Sequence, residues 1–224
     1  MLRNDNDIHK DVLAEFQWEP SLREDDIAVA VRDGVVTLAG FVDSYADKWK
    51  AERVAGKVRG VKAIANDVEV KLASGAQKAD PDIARASVSA LQWNVSVPAD
   101  RIQVKVEKGW ITLEGDVDYH YQKDAAERAI RYLTGVKGVT NLITVKPRAM
   151  SSDVKERIKE ALQRSAQLDA ERITVGVEGN KAILRGSVRS YAEMKEAERA
   201  ALKAPGITEV ENQLTVDLSA YATV

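Results

Sequence analysis

The feature that most constrains this chain is a β-hairpin written three times. Lys105-Val-Glu-Lys-Gly-Trp-Ile-Thr-Leu-Glu-Gly-Asp-Val117 carries two alternating apolar runs around a Lys108-Gly109 turn, and Arg32 to Val42 and Glu178 to Val188 have the same form. Sliding the sequence on itself aligns residues 7–72, 82–147 and 153–218 without a gap, at offsets of 75 and then 71. A chain of 224 residues could be one large domain or several small ones, and the repetition decides for three.

Within each unit the spacing predicts five elements. Asp7, Asp82 and Asp153 open the units as expected helix N-caps. Apolar residues then recur at helical spacing, as in Ile8, Val12 and Phe16 or Val154, Ile158 and Leu162. Ile27-x-Val29-x-Val31, Ile102-x-Val104-x-Val106 and Ile173-x-Val175-x-Val177 alternate with period two, which reads as a half-buried strand. The glycine-containing turn returns the chain into a second strand with Val36 and Leu38, Ile111 and Leu113, or Ala182 and Leu184 pointing inward. Ser44-x-x-Asp47 and Ser190-x-x-Glu193 form capping boxes for a second helix, while Tyr119 takes the serine position in repeat 2 and loses that cap. Gly60, Gly135 and Gly206 end that helix, and Asn66, Asn141 and Asn212 begin the third strand.

The order is therefore αββαβ. A right-handed crossover makes strand 3 parallel to strand 2, with strand 1 antiparallel to it. The fold class is α+β: three tandem modules, each a three-stranded mixed sheet with two helices on one face. Their bounds are 1–72, 82–147 and 153–218, with linkers 73–81 and 148–152. The second linker is short and follows Pro147. Repeats 2 and 3 are thus expected to be the tighter pair, with repeat 1 free to swing.

An αββαβ unit of this size resembles the BON domain, named for bacterial osmotically inducible and nodulation proteins. The residues that carry the resemblance are the valine-rich first strand, the Gly-x-Val after strand 2, and the Ala-Glu-Arg helix closed by Gly-Val or Gly-Ile. It extends over nearly the whole chain as three copies. It implies a non-enzymatic bacterial protein associated with osmotic or envelope stress and with membrane or phospholipid surfaces. Most members are exported to the periplasm. This sequence looks closer to triple-BON proteins without a signal peptide, because Met1 to Asp7 is polar. As encoded it is expected in the cytoplasm, and in the periplasm only if a signal has been removed.

Composition narrows the partners. Hydrophobic residues at 45% with charged residues at 30% permit a packed core. The formal charge of −2 gives no bias toward nucleic acid. Gly135-Val-Lys-Gly138 matches a GxxG loop, but it falls between a helix and a strand instead of between two helices. No nucleic-acid partner is expected. The absence of cysteine removes thiol chemistry, and the two histidines, His9 and His120, lie in no metal-ligand or catalytic spacing. Asp116/Asp118 and Glu24/Asp25/Asp26 are carboxylate clusters that read as solvated bends before they read as acid–base pairs. No catalytic residue, cofactor or metal site is expected.

Two surfaces remain. Trp110 sits beside the hairpin turn near Lys105 and Lys108, and alternation points it away from the helices, which suits a lipid headgroup interface. Trp18 and Trp93 occupy equivalent positions at the end of the first helix. They are expected to close the core from that end, with the headgroup interface as their alternative. On the open sheet face of repeat 1 the outward residues are Ala28, Ala30, Val35, Thr37 and Ala39, with no charge among them. That face is expected to be covered by another repeat or another subunit. Glu52 and Arg53 are expected to face water. The leading reading is a stress-associated binding protein that contacts phospholipid surfaces peripherally, or a protein partner. The alternative is a homo-oligomeric scaffold built through the open sheet faces.

Overall fold

In a computed structural model, residues 3–23, 26–147, 153–165 and 169–217 are described. Each repeat becomes the expected run of elements. Module 1 has α1 (Asp5–Gln17), β1 (Ile27–Arg32), β2 (Val35–Val42), α2 (Tyr45–Gly56) and β3 (Ala63–Val70). Module 2 has α3 (Asp80–Trp93), β4 (Ile102–Glu107), β5 (Trp110–Val117), α4 (His120–Arg131), β6 (Gly138–Asn141) and β7 (Thr144–Val145). Module 3 has α5 (Val154–Gln163), β8 (Ile173–Glu178), β9 (Lys181–Val188), α6 (Tyr191–Leu202) and β10 (Glu209–Val216).

Every sheet places its second strand in the centre. The hairpins pair antiparallel, Ile27 with Gly40, Ile102 with Gly115 and Ile173 with Gly186. The third strand runs parallel to the second, Trp110 beside Gly138 and Glu209 beside Lys181. Val36, Leu38, Ile111, Leu113, Ala182 and Leu184 are all fully buried, so period-two alternation identified the inward faces correctly. Strand 3 of module 2 is split into β6 and β7 around Leu142, whose side chain is exposed while its N–H still bonds to the Leu113 carbonyl at 2.8 Å.

The recurrent glycine that follows each inward pair has a steric cause. Gly40, Gly115 and Gly186 have φ of 122°, 135° and 128°. A Cβ at Gly115 would stand 2.1 Å from the Arg101 carbonyl oxygen, so only glycine lets the two strands meet there.

The helix starts differ from expectation in two modules. Asn4 caps α1, its side chain accepting from Asp7 N–H at 2.9 Å, and Ala79 precedes α3. Asp7 and Asp82 therefore lie inside the first turn, where a carboxylate still faces the positive end of the helix dipole. Asp153 does stand at the N-cap position of α5, without a side-chain bond to the helix. Cap chemistry on the second helices is closer to expectation. Ser44 Oγ accepts from Asp47 N–H, and Glu193 accepts from Arg189 N–H. Repeat 2 keeps half of its box, because Gln122 accepts from the N–H groups of Asp118 and Tyr119 at 2.9 and 3.0 Å.

The chain divides into two compact units, residues 1–40, 50–67 and 148–224 in one and 41–49 with 68–147 in the other. Module 1 contributes to both. In the first unit, Gly60 N–H bonds to Arg189 O and Tyr191 N–H bonds to Val61 O, each at 2.9 Å. The Tyr191 ring lies against Gly56, where an added Cβ would be 3.1 Å from it. In the second unit, Tyr45 packs on the core of module 2, and the Trp49 ring covers the Arg131 guanidinium at 3.8 Å. Module 1 is thus held by both neighbours. The expectation that module 1 swings is corrected, because linker length says nothing about which surfaces complement each other.

Candidate functional site

The hairpin end of module 2 gathers the residues singled out around Trp110. Lys108 and Gly109 take φ of 52° and 81°, the two left-handed residues of a type I′ turn. Their N–H groups point together, and both donate to the Asp80 carboxylate at the start of α3, at 2.7 and 2.8 Å. Module 1 repeats the device, with Asp33 and Gly34 N–H donating to Asp5 at 2.7 and 2.9 Å. Sequence reasoning missed this clamp. Its only signal was that Asp5 and Asp80 align at the same offset as the hairpins.

Register then places Trp110 opposite Glu107, Lys105 opposite Thr112 and Gly138 on the far side of Trp110. The indole N–H donates to Thr140 Oγ1 at 2.8 Å. A Cβ on Gly138 would fall 2.4 Å from two atoms of the benzo ring, so that ring rests directly on the glycine. The second glycine of the GxxG match is there to admit Trp110. The side chain is held down on one side and 49% exposed overall.

Around it lies a shallow recess of about 190 Å³ lined by Lys105, Glu107, Lys108, Trp110 and Thr112. Lys105 approaches Glu107 at 3.8 Å with both side chains largely exposed. Lys137 reaches across Gly109, where its Cγ would be 3.2 Å from an added Cβ, and Lys78 packs beside Gly135. Four lysines therefore meet at this end, while the Asp80 carboxylate is engaged by backbone amides. At the positions of Trp110 and Gly138, module 1 has Val35 and Ala63 and module 3 has Lys181 and Glu209. The platform belongs to module 2 alone.

The other tryptophans are not core residues. Trp18 and Trp93 are each 87% exposed. The apolar stripes of α1 and α3 end at the buried Phe16 and Leu91. Two residues further along is about 200° around a helix, which turns each indole to solvent. Trp93 is also apart from Trp110: Asp80 holds the hairpin turn at one end of α3, and Trp93 closes the other end, about 20 Å away at 1.5 Å per residue.

The acidic pair Asp116/Asp118 is engaged by cations. Lys146 reaches Asp116 at 2.8 Å, and Arg101 donates to Asp116 through Nε at 3.0 Å and to Asp118 through Nη1 at 3.1 Å. Hydrogen bonds from Lys146 and then Arg101 hold the Asp116 carboxyl below the usual aspartate range, and the same pairing raises Arg101. A carboxylate kept ionised by two cations is a structural anchor and a poor proton donor. His9 is used locally, its Nε2 3.1 Å from Val29 O. The Ala-Glu-Arg helix is not simply solvated either. Asn66 Nδ2 donates to Glu52 at 3.2 Å, and Asn141 Nδ2 donates to Lys123 O at 3.0 Å, so the strand-3 asparagine ties strand to helix.

On the open face of module 1, Ala28, Ala30 and Ala39 are exposed, Val35 is 38% exposed and Thr37 is half-buried. Module 3 differs, since Ile183 on its corresponding face is only 3% exposed and lies between Lys181, which pairs with Glu211 at 2.7 Å, and Arg185, which donates to Gln213 at 2.8 Å.

A BON domain model matches residues 4–71, 79–147 and 151–217. The chain belongs to the BON domain family. Its three BON modules are the three repeats read from the sequence. Osmotically-inducible protein Y of Escherichia coli (strain K12) is 32% identical over 147 residues, which is 64% of this chain and 73% of that protein. Among solved structures, the C-terminal domain of CdsD, the structural protein of the type III secretion system of Chlamydia trachomatis, aligns over 96% of this chain and all of that one, at 15% identity and a TM-score of 0.26. A second CdsD structure aligns over 97% of this chain and 99% of that one, at 16% identity and the same TM-score. A TM-score of 0.26 supports no inference about these BON modules. Among the described residues, no helix is long and apolar enough to cross a membrane.

Proposed function

We propose that this BON protein is a non-catalytic, stress-associated binding protein whose second module rests its hairpin end on an anionic phospholipid surface. The observation that carries the reading is the half-exposed Trp110, its indole N–H satisfied by Thr140, set among Lys105, Lys108, Lys137 and Lys78. An amphipathic ring and lysine stems suit the headgroup layer, where apolar body and charged tip are both solvated. Each lysine near an anionic leaflet contributes about 1 kcal/mol, and salt screens it. The named relative, an osmotically inducible protein, supports the stress association. Trp18 and Trp93 supply further apolar contacts in this reading, Trp93 from the end of α3 opposite to the one that holds the hairpin turn.

Co-sedimentation with phosphatidylglycerol and phosphatidylcholine vesicles tests it. Binding is expected to the anionic vesicles, weakening about fivefold for each lysine neutralised and falling further in Trp110→Ala. Equal binding to both lipids, or no loss in Lys105→Gln/Lys108→Gln, would refute it.

A further inference from the structure

We infer that Asp33–Gly34, at the hairpin turn of module 1, is a latent site of isoaspartate formation and that the Asp5 carboxylate is what keeps it closed. This inference is independent of the lipid reading and uses a different module.

The sequence contains one Asp-Gly step, Asp33–Gly34, and no Asn-Gly step. Glycine has no Cβ to shield its backbone nitrogen, so that nitrogen is able to attack the carboxyl carbon of a preceding aspartate. A bond forms from Gly34 N to Asp33 Cγ, and the Gly34 proton and the carboxyl hydroxyl leave together as water. The five-membered imide then takes up water at the Asp33 main-chain carbonyl, where the bond to nitrogen breaks. No atom is gained or lost overall, but the chain now runs through the side-chain carbon and is one methylene longer. The sister turns are not equivalent: Lys108–Gly109 offers no carboxyl, and Glu178–Gly179 would have to close a six-membered ring.

The Asp33 carboxylate is accessible, its side chain 89% exposed and approached by Arg32 Nε at 4.0 Å. The nitrogen is what the fold withholds. Asp33 and Gly34 take φ of 53° and 79°, the type I′ turn that sets ψ of its first central residue near about +30°. Ring closure requires Gly34 N to eclipse Cβ about the Asp33 Cα–C bond, a rotation of about 150° from that turn. The rotation tears Gly34 N–H from Asp5 Oδ1 at 2.9 Å and disturbs the Asp33 N–H bond to Oδ2 at 2.7 Å. It also displaces the Gly34 carbonyl, which accepts from Lys62 N–H at 2.9 Å, while the Lys62 stem packs beside Gly34. The negative charge of Asp5 further opposes loss of the proton that Gly34 must give up. After isomerisation the extra methylene separates the two N–H groups, one carboxylate no longer holds both, and α1 loses its tie to the hairpin for good.

Ageing the full chain in neutral buffer and mapping its peptides reads the site. The isoaspartyl peptide has the mass of its parent, a different retention, and resistance to a protease that cuts at aspartate. The wild type is expected to isomerise about tenfold more slowly than the same chain unfolded in guanidinium chloride. Asp5→Ala should isomerise about tenfold faster than the wild type, and Asp5→Asn, which keeps an acceptor for one N–H, should fall between them. Amide exchange at Gly34 should accelerate in the same order. Val54→Ala truncates a buried residue of α2 and leaves Asp5 in place, so it controls for general loosening and should raise isomerisation far less per degree of melting temperature lost. If Asp5→Ala misfolds, Asp5→Asn carries the comparison. Equal or slower isomerisation without the Asp5 carboxylate overturns the inference. So does a rise in Val54→Ala large enough to account for the Asp5 variants by lost stability alone.

Discussion

Replacing Gly138 with alanine asks whether Trp110 is truly seated on its glycine. The added Cβ would be 2.4 Å from Cε3 and Cζ3 and 2.7 Å from Cη2, against about 3.5–4.0 Å for carbons in contact. The ring must therefore withdraw by more than about 1 Å. Withdrawal breaks the 2.8 Å bond to Thr140, worth about 0.5–1.5 kcal/mol net. Overpacking adds about 1–3 kcal/mol, with the low end applying because a half-exposed ring can move outward. Gly138→Ala should then destabilise the protein by about 1–3 kcal/mol. Gly138 has no positive φ, so in a Trp110→Ala background the same change should be neutral or stabilising by about 0.5–1 kcal/mol through strand propensity. Urea denaturation of the wild type, the two single variants and the double variant closes the cycle, with an expected coupling of about 1.5–3 kcal/mol. An equal cost of Gly138→Ala with and without Trp110 would refute the seat.

Asp80→Ala should cost about 2 kcal/mol in urea titration, since two charge-assisted bonds to the turn are lost together, and amide exchange at Lys108 and Gly109 should accelerate. Asp116 has its folded pKa depressed by Lys146 and Arg101, so its stabilising contribution is complete above the unfolded value of about 3.9 and is lost as pH falls through the lower folded value. The stability difference between wild type and Asp116→Asn, followed by thermal melts, should be present at neutral pH and vanish in strong acid; a difference growing on acidification would contradict the assignment. Trp49→Ala removes the ring from over Arg131, a residue 6% exposed. That should cost about 1–2 kcal/mol and make the bond after Arg131 more sensitive to trypsin, while Trp49→Phe keeps most of the protection.

The modules were legible because their signals are local. Ile27, Val29 and Val31 or Ile111 and Leu113 state a period that only a strand satisfies, and Gly40 or Gly115 marks a spot where a Cβ has no room. Trp18 and Trp93 were legible too, had the angle from Phe16 and Leu91 been followed instead of the general tendency of aromatics toward cores. The clamp from Asp80 to Lys108 and Gly109 joins groups 28 and 29 residues apart, and no propensity reports on such a pair. The seat of Trp110 needs the parallel register of β5 and β6 before Gly138 is seen beneath it. The Arg131–Trp49 contact needs two modules placed together, which periodicity within each cannot supply.

The backbone bonds between module 3 and module 1 set a timetable for synthesis. Val61 is made 130 residues before Tyr191, the partner that donates to it. At about 5–20 residues per second the delay is on the order of ten seconds. During that interval the Gly56–Val61 corner of the first module stands uncovered on the ribosome, awaiting the last module to emerge. A chain cut short after the second module would leave the corner open permanently, so truncated products should be the ones that chaperones hold.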